Sequence, residues 1–325
     1  MKPYKVIRLR QGSPEWLAYR RTRIGASDAP AIAGESSYGS PYSVWREKIE
    51  GPAEIDAGTA LRFRLGHEME PVALRLYAER TSRKVRPGRV LQSREIPWLF
   101  ASLDAEVPPG LEDEGRIVEV KWTTSARFDD GLPGDVLVQV THQMAVSGIP
   151  DADVVVLSPH ALRIFPVRFD PDLWGSVLAL EASFYHDHLA SRIPPAVDGS
   201  GATTDALREQ FPADSGESMI ADADTGVLVR RLLDAKARAL ILDGEIGGME
   251  NALRFIMGDA SLLSGDDFTV SYKKAKDSVK VDWPAVVRRL VDLYPGILPD
   301  YDVAIDAATS VQSGSRRLLV KGVQG

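Results

Sequence analysis

The stretch that decides the fold is Arg116-Ile117-Val118-Glu119-Val120-Lys121-Trp122. Its β-branched residues and its alternation of apolar and polar side chains predict a β-strand. Residues two apart on a strand share a face, so Glu119 and Lys121 point into the same cleft. A second acid, Asp104, ends a strand predicted just before this one. An acid pair and a lysine are the groups that hold a divalent cation and orient a water for phosphodiester hydrolysis.

The same acid-x-lysine pattern occurs a second time, at Asp234-Ala235-Lys236. There it lies in a helical pattern, and positions two apart on a helix do not share a face. That instance therefore indicates ordinary surface charge. The instance at 119–121 also precedes a predicted helix with Gln139 and Gln143 one turn apart. The alternative for 119–121 is a solvated strand with a surface Glu/Lys pair.

Composition is that of a soluble protein with a core and one or two domains. The chain has 325 residues, of which 44% are hydrophobic and 26% charged. It has no cysteine, which excludes disulfides, thiolate zinc sites and a cysteine nucleophile and fits a reducing cytoplasm. No apolar run approaches the length of a membrane span, and the N-terminus does not resemble a signal peptide. We therefore expect a cytoplasmic protein with no membrane partner.

The distribution of charge is more informative than the net charge of −7. Residues 62–94 hold nine Lys/Arg and three acids, whereas residues 198–267 hold six Lys/Arg and fourteen acids. A basic part and an acidic part are typical of a protein with one DNA-facing side. Ordinary solvated surface charge is the alternative.

Helix and strand signals divide the chain into two parts, 1–197 and 198–325. In the first part we predict helices that begin at Ser13-Pro14, near Ser27-Asp28 and at Ser40-Pro41, helices over 60–81, 135–147 and 171–191, and strands over 84–91, 99–107, 116–122, 152–157 and 161–169. Residues 196–225 have the composition of a linker. Beyond it we predict a helix over 225–257 with a possible break at Gly247-Gly248, a hairpin over 268–281, a helix after Asp282 and a strand near 317–321.

Several blocks, in order, resemble one nuclease family. They are Gln11-Gly12-Ser13-Pro14-Glu15-Trp16 with Arg20 and Ile24-Gly25-Ala26-Ser27-Asp28, then Gly66-His67-Glu68-Met69-Glu70, Ala101-Ser102-Leu103-Asp104, Glu119-Val120-Lys121-Trp122-Thr123-Thr124, and Val138-Gln139-Val140-Thr141-His142-Gln143. Together they resemble the PD-(D/E)XK nucleases, and among them the lambda exonuclease family in its YqaJ-like viral recombinase branch. The resemblance covers roughly residues 8–195. It implies an α/β (α+β) restriction-endonuclease-like core, with a central mixed sheet flanked by helices, followed by a helical and hairpin C-terminal extension.

The resemblance implies a role for each matching residue. The magnesium ligands would be Asp104, Glu119, the Val120 carbonyl and Glu70, with Mn²⁺ as a possible substitute. These are the oxygen ligands that Mg²⁺ prefers. The remaining catalytic residues would be Lys121, which positions the water, and Gln139. One departure is that Leu103 and Ala105 flank Asp104, where the family usually has Pro-Asp-Gly.

A second group of residues matches positions that contact DNA in the family. Arg20, Ser27 and Ser102 would form an anion pocket for a terminal 5′-phosphate, since a guanidinium fork suits phosphate. A surface arginine is the alternative for Arg20. His142 either touches DNA phosphate or packs in the core. In the C-terminal part a lysine cluster either contacts DNA or lies on a solvated hairpin; its members are Lys273, Lys274, Lys276 and Lys280.

The implied function is a magnesium-dependent 5′–3′ double-stranded DNA exonuclease of phage-type recombination. It would leave 3′ overhangs for a single-strand annealing protein, work as a homo-oligomer, often a trimeric ring, and act in the cytoplasm of a bacterial host or phage-infected cell. One alternative is an endonuclease of the same fold that cuts DNA internally. The others are a catalytically inactive DNA-binding or scaffold protein and a structural protein that recruits a partner through residues 200–325.

Overall fold

The computed structural model describes residues 2–10, 12–51, 57–110, 115–275, 282–294 and 303. The chain forms two compact units, residues 1–211 and 212–325. The first unit holds two mixed sheets and seven of the helices described below. This arrangement confirms the predicted class of mixed sheet flanked by helices, with two sheets in place of the single one expected.

The first sheet has four strands, in the order β1 (Tyr4–Ile7), β4 (Val90–Ser93), β5 (Leu99–Ser102) and β2 (Ile24–Gly25). Only β2 and β5 run parallel in it. The second sheet has five strands, in the order β3 (Arg86–Pro87), β6 (Ala105–Val107), β7 (Arg116–Trp122), β8 (Asp151–Leu157) and β9 (Leu162–Arg168). In that sheet only β7 and β8 are parallel.

The parallel pair β7–β8 forms the centre of the second sheet. Val154, Val155 and Val156 of β8 are all buried, as expected for a strand covered on both faces. Parallel neighbours need a crossover connection, and here it is the helix α5 (Gly134–Ser147), which ends at Gly148 in the left-handed conformation. The predicted strand at 116–122 is confirmed, and Glu119 lies opposite Val154.

The other helices of the first unit begin at or within three residues of their predicted starts, except α7, which the sequence does not predict. They are α1 (Pro14–Arg21), α2 (Ala29–Ile32), α3 (Pro41–Glu50), α4 (Ala57–Thr81), α6 (Pro171–Ser183), which continues as a π-helical segment over Phe184–Ala190, and α7 (Gly201–Gln210). Ser13 accepts a hydrogen bond from the Trp16 N–H, and Ser40 forms a capping box with Ser43. Both contacts satisfy backbone N–H groups at a helix start.

The helix α4 confirms the predicted helix and most of its predicted core face. Met69, Val72 and Leu76 pack half-buried against the core cluster that contains the fully buried Ala73 and Tyr77, whereas Leu65 is exposed. The Tyr77 hydroxyl also donates to Asp153 of β8 at 2.5 Å. A polar contact therefore adds to the apolar packing of this helix.

Two predicted strands are each split because the chain crosses between the sheets. The strand expected over 84–91 divides into β3 and β4 at Gly88, and that over 99–107 divides into β5 and β6 at Leu103-Asp104. The two crossings touch, since the Gly88 N–H donates to the Asp104 carbonyl at 3.0 Å. A Cβ on Gly88 would lie 1.7 Å from the Leu103 carbonyl oxygen, so only glycine allows this approach.

The expected linker over 196–225 is partly helix. Within it, α7 packs on α3, where Thr203 is buried and donates to the Ser40 hydroxyl at 2.7 Å. The first unit consequently extends to residue 211, beyond the predicted boundary at 197. The Ser and Gly residues near 200 indicate a turn in the sequence, but Ser200 is the N-cap of α7. The prediction of a linker is wrong there for this reason.

The second unit contains α8 (Ala223–Met257), the hairpin of β10 (Leu262–Ser264) and β11 (Thr269–Ser271), and α9 (Trp283–Leu293), capped by Asp282. The helix α8 is unbroken at Gly247-Gly248. The hairpin lies at 262–271, earlier than the predicted 268–281. Lys276, Lys280 and the strand predicted near 317–321 lie outside the described residues.

Among the residues described, no helix combines the length and the apolar character needed to cross a membrane.

A buried histidine joins α5 to α6 and to the first sheet. His142 is fully buried, with Nδ1 2.7 Å from Glu181 Oε1 and Nε2 2.9 Å from the Phe100 carbonyl oxygen. The suggestion that His142 binds DNA is therefore wrong, and its alternative, packing, is what the structure has. Burial lowers the pKa of His142, but the Glu181 carboxylate, the Phe100 carbonyl and the nearby Asp28 together raise the pKa above its ordinary value.

We predict that the His142–Glu181 pair makes stability depend on pH. A raised pKa stabilises the folded protein fully below about pH 6.5, and this contribution is lost as pH rises through the folded-state pKa. Glu181→Gln should lower the free energy of unfolding at pH 6 by about 3 kcal/mol and remove this decline at higher pH. Urea unfolding from pH 6 to 9 measures both effects, with exposed His160→Asn as the control. Equal slopes in all three proteins would contradict the prediction.

A second buried charge, Asp153 of β8, joins the centre of the second sheet to α4. It accepts hydrogen bonds from Tyr77, from Arg83 at 2.6 Å and from Arg116 at 2.7 Å. We expect Asp153→Asn to lower the free energy of unfolding by about 3 kcal/mol, since it removes the buried negative charge that faces two arginines. The matched control is Asp151→Asn on the same strand, whose partner Arg168 is 71% exposed. That change should cost at most about 1 kcal/mol in urea denaturation, and equal losses would refute the prediction.

Candidate active site

The face of β7 carries an ion pair held by an amide. Lys121 Nζ lies 2.8 Å from Glu119 Oε1 and 2.8 Å from Gln139 Oε1, and Gln139 Nε2 donates back to Glu119 Oε1 at 2.7 Å. These contacts form a closed triangle of side chains. The alternation expected of a strand thus brings Glu119 and Lys121 to one face, as the sequence predicts, and α5 brings Gln139 to them.

A second glutamine fixes the other oxygen of Glu119. Gln143, one turn after Gln139 on α5, donates from Nε2 to Glu119 Oε2 at 2.8 Å and to the Ser102 carbonyl at 3.2 Å. Glu119 is 3% exposed, so both its oxygens need donors. The buried Gln143 Oε1 has no partner among the described residues and is an acceptor that a bound water would satisfy.

Asp104 lies beside this triangle. Its Oδ2 accepts a hydrogen bond from the Val120 backbone N–H at 2.8 Å. Pairing between β6 and β7 ends at Val118. Beyond that point the Asp104 carboxylate accepts the Val120 N–H, as a backbone carbonyl would if β6 continued. This contact places Asp104 against the backbone between Glu119 and Lys121.

Glu70 approaches the same site from α4. It lines a cleft of about 410 Å³ together with His67, Ser102, Leu103 and Asp104. Burial raises the pKa of Glu70, the His67 ring lowers it and the charge of Glu119 raises it again, so the net pKa is above the ordinary value. Glu70, Asp104 and Glu119 are therefore electrostatic neighbours.

The balance of charge in the site favours a cation. Burial and the nearby Glu119 and Glu70 carboxylates raise the pKa of Asp104 well above its usual range, although the Val120 N–H and Lys121 oppose this. Burial lowers the pKa of Lys121, but the surrounding carboxylates raise it more, so the ammonium remains charged. One lysine thus faces three carboxylates, and a divalent cation would offset the excess of negative charge.

The candidate metal ligands are all oxygen atoms. No group of three His, Asp or Glu side chains among the described residues is close enough to form a ligand cluster. The two carboxylates nearest Val120 are those of Asp104 and Glu119, and β6 no longer pairs with β7 beyond Val118. Oxygen donors of this kind are those that hard divalent cations prefer.

The residues expected to bind a 5′-phosphate form a cluster at the start of α2. Arg20 Nη2 lies 3.3 Å from the Ser27 hydroxyl and 3.4 Å from Asp28 Oδ1. The buried Lys48 also pairs with Asp28, and the Gly25 N–H donates to Asp28 at 2.8 Å. The two cations lower the pKa of Asp28 against the effect of its burial. Two cations on one acid leave the cluster with positive charge, and Arg20 retains 28% side-chain exposure.

Ser102 is the last residue of β5, whose pairing with β2 places Gly25 opposite Phe100. It lines the cleft that contains Asp104 and Glu70. The structure therefore groups Ser102 with the expected metal residues, and it groups Arg20 with Ser27 at the start of α2. His142 belongs to neither group.

Three residues contribute to the site although the sequence predicts no role for them. Gln143 carries a detectable signal, since it lies four residues after Gln139 on one helix face. Asp28 belongs to a block that resembles the nuclease family, but the sequence does not indicate which residues it pairs with. Lys48 has no signal at all, because its ion pair spans twenty residues and two helices.

The chain is similar to several known proteins. The uncharacterized protein YqaJ of Bacillus subtilis (strain 168) is 23% identical over 293 residues, which are 87% of this chain and 88% of that protein. An alkaline exonuclease from Laribacter hongkongensis superposes loosely, with a TM-score of 0.46, 19% identity and coverage of 56% of this chain and 94% of that one. A phage-related exonuclease from Haemophilus somnus 129PT has a TM-score of 0.41 and 13% identity. That match covers 53% of this chain and 96% of the other.

Residues 15–150 match the family model of the YqaJ-like viral recombinase domain. That segment contains α1 through α5 and therefore Glu70, Asp104, Glu119, Lys121 and Gln139. The sequence blocks that resemble this family are thus the segments that build the site. Within residues 15–150, the chain is therefore similar to the YqaJ-like viral recombinase domain.

Proposed function

We propose that this nuclease is a divalent-metal-dependent deoxyribonuclease that degrades one strand of duplex DNA from an end, 5′ to 3′. The observation that carries the proposal is the triangle of Glu119, Lys121 and Gln139 beside Asp104. The product would be a 3′ overhang, the substrate of a single-strand annealing protein. This partner, a ring-shaped trimer and a phage-type recombination role in a bacterial cytoplasm are parts of the proposal that rest on the family resemblance.

The metal ligands proposed are Asp104, Glu119, the Val120 carbonyl and Glu70, the last directly or through water. The ion would be Mg²⁺, with Mn²⁺ as a substitute, because the donors are all oxygen. A divalent cation in such a site lowers the pKa of a bound water and stabilises charge on the phosphate. Glu70 reaches the site from α4, which overlaps a basic stretch of the chain, residues 62–94.

Lys121 would act as a hydrogen-bond donor to the attacking water. Its ammonium is held by Glu119 and Gln139, both at 2.8 Å, and its side chain is 27% exposed. A fixed ammonium favours the deprotonated form of the water and offsets charge on the phosphate. Gln139 contributes by holding both members of the ion pair in one orientation.

Arg20, Ser27 and Ser102 would bind the terminal 5′-phosphate. Asp28 holds the Arg20 guanidinium on one side, so the remaining N–H groups face a ligand in a defined orientation. A phosphate bound there would hold the end of a DNA strand on the first unit, which also carries the proposed metal site.

An endonuclease of the same fold and a catalytically inactive DNA-binding or scaffold protein are the alternatives. The endonuclease would cut a closed circular duplex, which a nuclease that needs an end leaves intact. Degradation of linear duplex with Mg²⁺ excludes the inactive protein.

We predict that Lys121→Ala lowers the rate of linear-duplex degradation by about 10²-fold or more, since it removes a donor aimed at developing charge. The assay uses end-labelled duplex with Mg²⁺. The control is Arg168→Ala, an exposed cation on β9 of the same sheet, which should retain the full rate. Circular dichroism checks that both variants fold. An unchanged rate in Lys121→Ala would refute the assignment of the site.

We also predict that Arg20 determines the preference for a phosphorylated end. In Arg20→Ala the ratio of rates on 5′-phosphorylated and 5′-hydroxyl duplexes should fall to about one, because a charged donor to phosphate is lost. The neighbouring Arg21 is the matched control, since its guanidinium donates to the carbonyls of Lys48 and Ile49. Arg21→Ala should keep the ratio of the unmodified protein. A preference that survives Arg20→Ala would contradict the phosphate pocket and leave the metal site unaffected.

A further inference from the structure

The long helix α8 carries an uninterrupted heptad repeat, and it contains none of the residues of the candidate active site. Counting from Thr225 at position a, the a positions are Thr225, Leu232, Ala239, Ile246 and Leu253. A repeat sustained for more than four heptads is typical of a coiled coil. The sequence interrupts this stripe nowhere with a charge, although charges occupy many other positions of the helix.

The d positions complete the stripe with Leu228, Ala235, Leu242, Met249 and Ile256. We call the a and d residues together the α8 seam. Leu242 is 54% exposed, Met249 60% and Ile256 70%. Every residue of α8 is described, and Met257 is its one buried residue. Among the described residues the seam is therefore an exposed apolar stripe, and Leu240, Ile241 and Phe255, which are also exposed, lie outside it.

Charges beside the seam identify the orientation of a second copy. In an antiparallel pair with full overlap of the two seams, position g faces g and position e faces e. Arg238 then faces Glu245 of the second copy, and Lys236 faces its Asp243. By symmetry each contact occurs twice, which gives four attractive pairs. Two charged g and e positions remain within the overlap. Arg231 faces Ala252 of the second copy and Glu250 faces its Val229, so neither meets another charge.

A parallel pair in register has the opposite balance. There position g faces e of the next heptad, so Arg231 would face Lys236, and Glu245 would face Glu250. Both contacts are repulsive and only that of Arg238 with Asp243 is attractive. Charge complementarity therefore favours the antiparallel arrangement.

The sizes of the seam residues agree with the charges. In the antiparallel overlap Ile246 faces Ala235, and Leu242 faces Ala239, so that large side chains meet small ones. Leu232 faces Met249 and fills the next layer. The parallel pair would instead place two alanine layers next to each other. Interdigitation of large with small residues fills an interface without voids.

We propose that the α8 seam is a self-association surface on which a second copy of this chain docks its own α8 in the antiparallel orientation. The interface would span about 45 Å of helix. It belongs to the second unit and is independent of the proposed nuclease chemistry. A ring formed by the first unit would use other surfaces.

The absence of cysteine from the chain allows a direct test in the full-length protein. Ile246→Cys and Ala235→Cys are made separately and oxidised alone and as a mixture. In the antiparallel pair each cysteine lies about 16 Å from its own equivalent, beyond the reach of a disulfide. We expect crosslinked dimers in the mixture and none in either variant alone. The control Ala237→Cys, on the outer face of α8, should not crosslink with any of them.

The possible outcomes separate cleanly. Crosslinks in each variant alone would overturn the orientation, and no crosslinks in any sample would overturn the surface itself. Association through the first unit would not change which samples crosslink, because the cysteines lie on α8.

A charge exchange supplies the second measurement. Arg238→Glu should weaken self-association about tenfold, since two attractive pairs become repulsive. Adding Glu245→Arg in the same chain should restore it. The dissociation constant is measured by sedimentation equilibrium, and circular dichroism monitors the helix content. Failure of the second change to restore association would overturn the proposed pairing.

Discussion

The hydrogen bond from the Val120 N–H to the Asp104 carboxylate is the contact on which the site depends. It occurs where the chain leaves the four-stranded sheet and enters the five-stranded one, and where β6 no longer pairs with β7. A side chain thus completes a backbone edge that would otherwise lack an acceptor. The same contact forces Asp104 towards Glu119 and Glu70. Their mutual repulsion is the electrostatic cost of this arrangement, and Lys121 offsets part of it.

Topology explains why amides surround Glu119. Parallel β7 and β8 require a crossover, and the crossover helix α5 must cover the sheet next to the acid. Glutamines on the covering face can donate to a buried carboxylate without neutralising its charge. Gln139 and Gln143 therefore hold both oxygens of Glu119 in a fixed orientation. This rigidity is what a pre-organised ligand for a cation requires.

The two units differ in what they contribute. Every residue of the candidate site lies in the first unit. Its ion pairs join α5 to α6 through His142 and Glu181, β7 to β8 through Arg116 and Asp153, and α2 to α3 through Asp28 and Lys48. The second unit contains a long helix whose apolar stripe is exposed among the described residues. Chemistry and self-association are thus assigned to separate parts of the chain. A change in one is not expected to abolish the other.

Local patterns of residues were sufficient for what depends on near neighbours. Alternation predicted β7 and the shared face of Glu119 and Lys121, and capping residues predicted the starts of α1 and α3, because each effect acts within a few residues. Matching blocks then brought Asp104, Glu70 and Gln139 into one hypothesis.

Tertiary structure alone decided the rest. The burial of His142, the contact of α4 with Asp153 and the pairing of Lys48 with Asp28 all join residues far apart in the chain. The composition of residues 196–225 indicated a linker, yet packing on α3 stabilised a helix there. Short-range propensity is weak compared with burial and ion pairing, so contacts that form only on folding decide such cases.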